Sequence, residues 1–171
     1  MKKNTKRKVR EIFSAEKVKH VKESQVEMTE IVFPNDANVL GTLHGGKLML
    51  WLDIAASIAA SRHCNRVAVT ASVDELNFLH PIKIGEAVIL RASVNRAFRT
   101  SMEVGVKVMS ENLLTGEVKQ ANSAYLTFVA VDQKQRPVAC PPIVPQSEEE
   151  IRRYEEALKR RQQRLQHRGG L

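Results

Sequence analysis

Asp53 stands inside an apolar run, between Trp51-Leu52 and Ile54-Ala55. Taking a carboxylate out of water costs several kcal/mol unless it is paired or hydrogen-bonded. A carboxylate set among apolar groups is therefore a candidate for chemistry. The plainer alternative is a solvated aspartate on a narrow polar stripe shared with Ser57, one turn later. Gly45-Gly46 lies where the same helix should begin. A helix N-terminus offers free backbone N–H groups and positive potential, and glycine lets a ligand approach that backbone closely. Such a turn can hold a carbonyl and its developing oxyanion, or serve only as a hinge. His44, beside the glycines, is placed to line the same site. Asn38, fifteen residues before Asp53, can orient a water or donate to a carbonyl, and asparagine is also a common turn residue.

The other reactive residue types form no pattern. His44, His63 and His80 show neither an HxH nor an HExxH spacing, and no GxSxG elbow is present. His63, at the helix end, is expected to meet the helix dipole or its terminal carbonyls. His80, before Pro81, reads as a strand-end residue. Cys64 and Cys140 belong to no CxxC or metal-ligand spacing. No metal and no organic cofactor are expected.

Positioning these residues needs a helix and a sheet. Residues 45–62 are rich in Leu, Met and Ala, lack proline and are apolar nearly all round, which predicts a buried helix. Residues 24–33 read as a strand, followed by a loop marked by Pro34-Asn35-Asp36 and Gly41. After Asn65 the hydrophobic period becomes two, predicting strands over 67–79, 87–97, 102–110 and 120–131. Their short links favour a consecutive antiparallel meander. Four prolines within 137–145 predict an extended linker. Residues 147–168 predict a charged helix with Ser147 and Glu150 as a capping box, either solvent-facing, subunit-contacting or disordered. The organisation is a basic lead over 1–19, one domain over 20–135, a Pro-rich linker over 136–146 and a charged helix and tail over 147–171. One sheet must bury a face against something; a single apolar helix inside a curved antiparallel sheet satisfies this, and so apolar a helix suggests a second subunit as cover.

The 171 residues carry a formal charge of +8, which raises the question of nucleic acid. Its distribution argues otherwise: +5 falls on residues 1–11 and +2 on 147–171, leaving +1 for everything between. Such tails read as solubilising extensions, and no nucleic-acid partner is expected. The longest apolar run, Leu48 to Ala60, is interrupted by Asp53 and is shorter than the roughly 20 residues that span a bilayer. No apolar stretch follows Lys2-Lys3 to make a signal peptide. A cytoplasmic protein with reduced thiols and no membrane insertion is the expectation.

DANVLGTLHGGKLMLWLD, then RHC, then VDELNFLHPIKIGE, then YLTFVAVD together resemble the acyl-CoA hydrolase branch of the hot-dog thioesterases, over roughly residues 20–135. The resemblance implies an α+β hot-dog fold, a curved antiparallel sheet wrapped around one long helix, with the charged C-terminal helix appended. It implies hydrolysis of a fatty acyl-CoA to a free acid and CoA, with Asp53 as general base or nucleophile and Gly45, Gly46 and His44 around the carbonyl. It places Asn38 in the partner subunit's site, which makes the site interfacial in a homodimer, with three dimers forming a hexamer. Arg99-Thr100-Ser101 matches a turn that contacts the CoA nucleotide or phosphates, with Arg62 and Arg96 as weaker candidates. CoA then belongs to substrate and product and is no cofactor. Trp51, Leu76 and Phe78 are candidates for setting acyl-chain length. The alternatives are a non-catalytic CoA sensor and a hot-dog dehydratase, which would need a histidine such as His44 paired with Asp53.

Overall fold

The computed structural model describes residues 18–168, so the basic lead up to residue 17 and the last three residues lie outside the description. Strand β1 (Lys19–His20) and a short 3-10 turn lead into β2 (Val26–Ile31). A loop containing a second 3-10 turn, Pro34–Asp36, delivers the chain to helix α1 (Gly45–Cys64). Four long strands follow, β3 (Val67–Phe78), β4 (Ala87–Ala97), β5 (Ser101–Asn112) and β6 (Glu117–Val131), then β7 (Ile143–Val144) and helix α2 (Glu148–Arg168).

The five long strands form one antiparallel sheet in the order β2-β4-β5-β6-β3. Only β4, β5 and β6 make a meander. β3 does not pair with β4 as its position in the chain suggests; residues 79–86 carry the chain across to the far side, leaving β3 at the edge beside β6. One face of the sheet is apolar by simple alternation: Val88, Leu90, Ala92 and Val94 on β4, Met102, Val104, Val106 and Val108 on β5, Leu126 and Phe128 on β6. α1 lies against this face through Leu48, Leu52, Ala55, Ala56, Ala59 and Ala60, all buried. The alanines let the helix backbone come close to the sheet, and the register slips in β3, β4 and β6 bend the strands around it. α1 stops at Asn65, whose left-handed backbone (φ 51°) returns its N–H to the Ser61 carbonyl.

Residues 137–145 are extended, as their prolines require, but they do not hang free. Val138 N–H donates to the Ala130 carbonyl and Cys140 N–H to the Arg99 carbonyl, β7 pairs in parallel with β1, and Cys140 and Ile143 are buried. His63 is sealed beneath this strap with Nε2 2.8 Å from the Pro141 carbonyl, so it meets the strap and not the carbonyls of its own helix. α2 opens with the Ser147–Glu150 capping box: Glu150 N–H donates to Ser147 Oγ and Ser147 N–H to the Glu150 carboxylate, both at 3.2 Å. It then lies on the outer face of the sheet, where Ala157 is fully buried and Arg160 reaches the sealed Glu103 carboxylate at 2.7 Å.

Candidate active site

Asp53 occupies the third turn of α1, half-buried at the flank of the face that packs on the sheet. Its Oδ1 accepts a 2.6 Å hydrogen bond from the Thr70 hydroxyl on β3. It stands in the wall of a pocket of about 360 Å³ whose other lining residues are Gly46, Met49, Leu50, Leu52, Val73, Leu76, Ala124 and Leu126. Every side chain there except that of Asp53 is apolar, and Asp53 itself is half-buried. No histidine lines this pocket. Thr70 escaped the sequence reading. A threonine in a β-strand carries no signal by itself, and its approach to Asp53 depends on how β3 packs on α1.

The first turn of α1 separates this pocket from a second one. Gly46 belongs to the Asp53 pocket, whereas Gly45 lines a pocket of about 410 Å³ with Asn38, Thr42, Leu43, Leu48, Leu79, His80, Pro81, Ile82 and Ala121. The amides of the first helical residues have no carbonyl four residues back to bond to. An added Cβ at Gly46 would meet only His44 Nδ1 at 3.9 Å, ordinary contact, so packing within the chain does not demand glycine there. His44 is the N-cap, exposed and without a side-chain cap bond. The loop is tied to this turn: His44 N–H donates to the Asp36 carbonyl, and the Asp36 carboxylate holds Lys47 Nζ at 2.9 Å. The Lys47 ammonium beside it keeps the Asp36 carboxyl below the usual range.

Asn38 is held within its own loop. Its Oδ1 accepts from Leu40 N–H, Thr42 N–H and Thr42 Oγ1 at 2.9, 3.3 and 3.2 Å, which closes the loop and fixes which end of the carboxamide faces inward. The amide nitrogen is then turned away from the loop as a donor. Asn38 and Asp53 face different pockets of one chain. His80, set aside as a strand-end residue, lies two residues beyond β3 and lines the Asn38 pocket.

The remaining candidates lie elsewhere. Arg99, Thr100 and Ser101 form the β4–β5 turn and line neither pocket, with the Arg99 side chain exposed. Arg62 donates to the Gln25 carbonyl at 2.9 Å; Arg96 donates to the Tyr154 carbonyl at 3.0 Å and stacks 3.9 Å over the Tyr154 ring, so both hold structure together. Leu76 lines the Asp53 pocket, Trp51 is buried and lines neither, and the Phe78 side chain lies outside the described side chains. Burial pushes the Cys140 thiol up to about 11 and raises that of Cys64, which keeps both protonated at neutral pH. Among the described residues no three His, Cys, Asp or Glu side chains gather to hold a metal ion, and no helix is long and apolar enough to cross a membrane.

Residues 40–117 match the family model of the thioesterase superfamily. An uncharacterized acyl-CoA thioester hydrolase of Bacillus subtilis is 48% identical over 143 residues, 84% of this chain and 83% of that one. The chain belongs to the hot-dog thioesterase superfamily. Among solved structures, an apo-hexameric acyl-CoA thioesterase superposes with a TM-score of 0.87 at 41% identity, covering 91% of this chain and 99% of that chain. The acyl-CoA hydrolase of Staphylococcus aureus, solved with butyryl coenzyme A, coenzyme A and coenzyme A disulfide, superposes with a TM-score of 0.84 at 36% identity, covering 89% and 93%. That enzyme has also been solved with alanine in place of an asparagine, of an aspartate fifteen residues later, and of a threonine seventeen residues beyond that. Asn38, Asp53 and Thr70 occur in the same order at the same two intervals.

Proposed function

We propose that this protein hydrolyses fatty acyl-CoA thioesters to the free acid and CoA at a site built around Asp53. The observation that carries the reading is the pairing of Asp53 with Thr70 in the wall of an apolar pocket that also contains Gly46 of the first α1 turn. An acyl chain fits the apolar lining, and the thioester carbonyl then lies toward the helix N-terminus. Thr70 holds one carboxylate oxygen, leaving the other to act. As general base it takes a proton from water as the water oxygen attacks the thioester carbon; as nucleophile it attacks that carbon itself, and water then opens the resulting anhydride. On either route the carbonyl oxygen becomes an oxyanion that the Gly45 and Gly46 amides stabilise. The C–S bond breaks, and the CoA thiolate leaves and gains a proton.

Asn38 comes from the partner subunit in this reading. Three features support it: Asn38 faces a pocket other than that of Asp53, Met49, Leu50 and Ile54 of α1 are exposed beside Asp53, and edge strand β3 exposes Val67, Val69 and Val73. A second chain placed against β3 and the open face of α1 covers this apolar surface and brings its own Asn38 amide to the carbonyl or the attacking water. Three such dimers then make the hexamer. Arg99, Thr100 and Ser101 hold CoA phosphates, since guanidinium, hydroxyl and backbone N–H groups all donate to them.

The test is thiol release from acyl-CoAs of graded chain length by wild type and by Asp53→Ala, Asn38→Ala and Thr70→Ala. Wild type is expected to hydrolyse part of the series, Asp53→Ala to lose at least about a hundredfold in kcat while remaining folded, and the other two to lose less. Wild type inactive on every chain length while still binding CoA would leave a CoA sensor. Asp53→Ala as active as wild type would remove Asp53 from the chemistry.

A further inference from the structure

β3 addresses Asp53 with residues at an interval that a regular strand does not allow. Thr70 donates to Asp53, and Val73 and Leu76 line the pocket with it. Side chains three apart on a strand point to opposite faces. The register against β6 explains the discrepancy: it slips once between Thr70 and Ser72 and again between Val73 and Glu75, each slip inserting one residue. The strand thereby presents Thr70, Val73 and Leu76 to one side. The two inserted residues, Ala71 and Asp74, lack register partners on β6, the strand's neighbour in the sheet.

Asp74 is held from the opposite face of the sheet. One carboxylate oxygen accepts from the Ser72 hydroxyl at 3.2 Å, within β3, and the other pairs with the Arg164 guanidinium from the far end of α2. The pair is largely shielded from water, with the Asp74 side chain 10% and the Arg164 side chain 19% exposed. Arg164 also stands 3.9 Å from Glu103, which is sealed and already held by Arg160 and by Asn95. The last turns of α2 are thus anchored to β5 and, through Arg164, to the second slip of β3.

We propose that Asp74 and Arg164 are positioning residues for the reaction: their ion pair fixes the second slip of β3, so that Thr70, Val73 and Leu76 keep facing Asp53. This rests on the reading of Asp53 as the catalytic carboxylate. The charged C-terminal helix then acts on the site from the other side of the sheet, without touching substrate. Loss of the pair allows β3 to relax toward regular pairing, which turns Val73 or Leu76 out of the pocket wall and loosens Thr70 against Asp53.

The test uses the full chain carrying Arg164→Gln, Arg164→Lys, Asp74→Asn and the double Asp74→Asn/Arg164→Gln replacement. Arg152→Gln, which removes two exposed ion pairs within the same helix, to Glu149 and Glu156, is the control. Folding is checked by circular dichroism and thermal unfolding, kcat and KM are measured across an acyl-CoA chain-length series, and amide exchange is followed over residues 70–76. On folded protein, Arg164→Gln and Asp74→Asn are each expected to lower kcat about tenfold or more, the scale of small misplacements in a site, and to change the ratio of rates on short and long chains. The double variant should be no worse than the worse single one, because both remove the same contact. Arg164→Lys should recover most of the rate, and Arg152→Gln should match wild type. Wild-type kcat and chain-length ratio in folded Arg164→Gln, or single effects that multiply in the double variant, overturn the proposal. A wild type inactive on every acyl-CoA fails the functional reading instead. Amide exchange then decides the pair: faster exchange over 70–76 in Arg164→Gln but not in Arg152→Gln supports it, and unchanged exchange rejects it.

Discussion

α1 carries two titratable groups, a half-buried Asp53 and a fully buried His63, and the two surroundings differ in kind. Asp53 has a hydroxyl donor at 2.6 Å and an open pocket on its other side. His63 is sealed: Nε2 donates to the Pro141 carbonyl, which leaves Nδ1 as a buried acceptor with no partner among the described residues. Burial lowers its basicity below the ordinary value of 6.5, and the Pro141 carbonyl only partly opposes this. A histidine whose folded pKa is depressed takes up a proton more readily after unfolding. Its neutral form therefore supports the fold fully above 6.5, and that support declines as the pH falls below 6.5 toward the folded value. The melting temperature is expected to drop between pH 7.5 and 5. His63→Gln keeps an N–H donor for Pro141 and has no charge to gain, so it should flatten that part of the profile. Thermal unfolding of both proteins across this range checks the sign; a slope unchanged by His63→Gln assigns the acid sensitivity to other groups.

Among the elements, α2 contributes the feature hardest to foresee. Arg160 makes a forked contact with Glu103 at 2.7–3.2 Å and lies 3.7 Å over the Tyr125 ring. Removing one member of a buried pair leaves an uncompensated charge, at a cost of about 3–5 kcal/mol. Arg160→Ala is accordingly expected to lower stability by about 3 kcal/mol in denaturant titration, and Glu103→Leu/Arg160→Leu to cost less than Arg160→Ala alone. Local pattern made α1 and the three strands β4 to β6 legible to within a few residues at each end, because alternation and an all-round apolar helix are local signals. Strand order was not legible, since a link as short as 79–86 fits a hairpin or a crossover alike. The docking of 137–145 and of α2 was hidden as well: proline and charge content set a segment's backbone and its solvated face, not what its few apolar and paired groups will meet. In the candidate site, Asp53 was nameable because a carboxylate is out of place in an apolar helix, whereas Asn38 is an ordinary turn residue that only the family resemblance singled out. Thr70, Asp74 and Arg164 are ordinary in their own segments and gain their positions from register slips and from a contact ninety residues apart in the chain.

For the whole molecule, the decisive property is that one chain sets Asp53 and Asn38 apart. Asp53 and Asn38 open onto different pockets on either side of the first α1 turn. The exposed face of α1 and the edge of β3 present apolar side chains. If each site draws Asp53 from one subunit and Asn38 from its partner, Asp53→Ala and Asn38→Ala homodimers are both defective at every site. In a dimer of one Asp53→Ala and one Asn38→Ala chain, one site carries both replacements and the other carries neither. Coexpression with free exchange makes about half of the dimers mixed, each with one intact site of two, so the mixture should recover about one quarter of wild-type activity. Tagging the two variants differently and purifying the mixed dimer should raise this to about one half. Recovery of this size requires sites shared between subunits, because a site completed within one chain stays defective in every combination; a mixture no more active than its parents would return Asn38 to its own chain's loop.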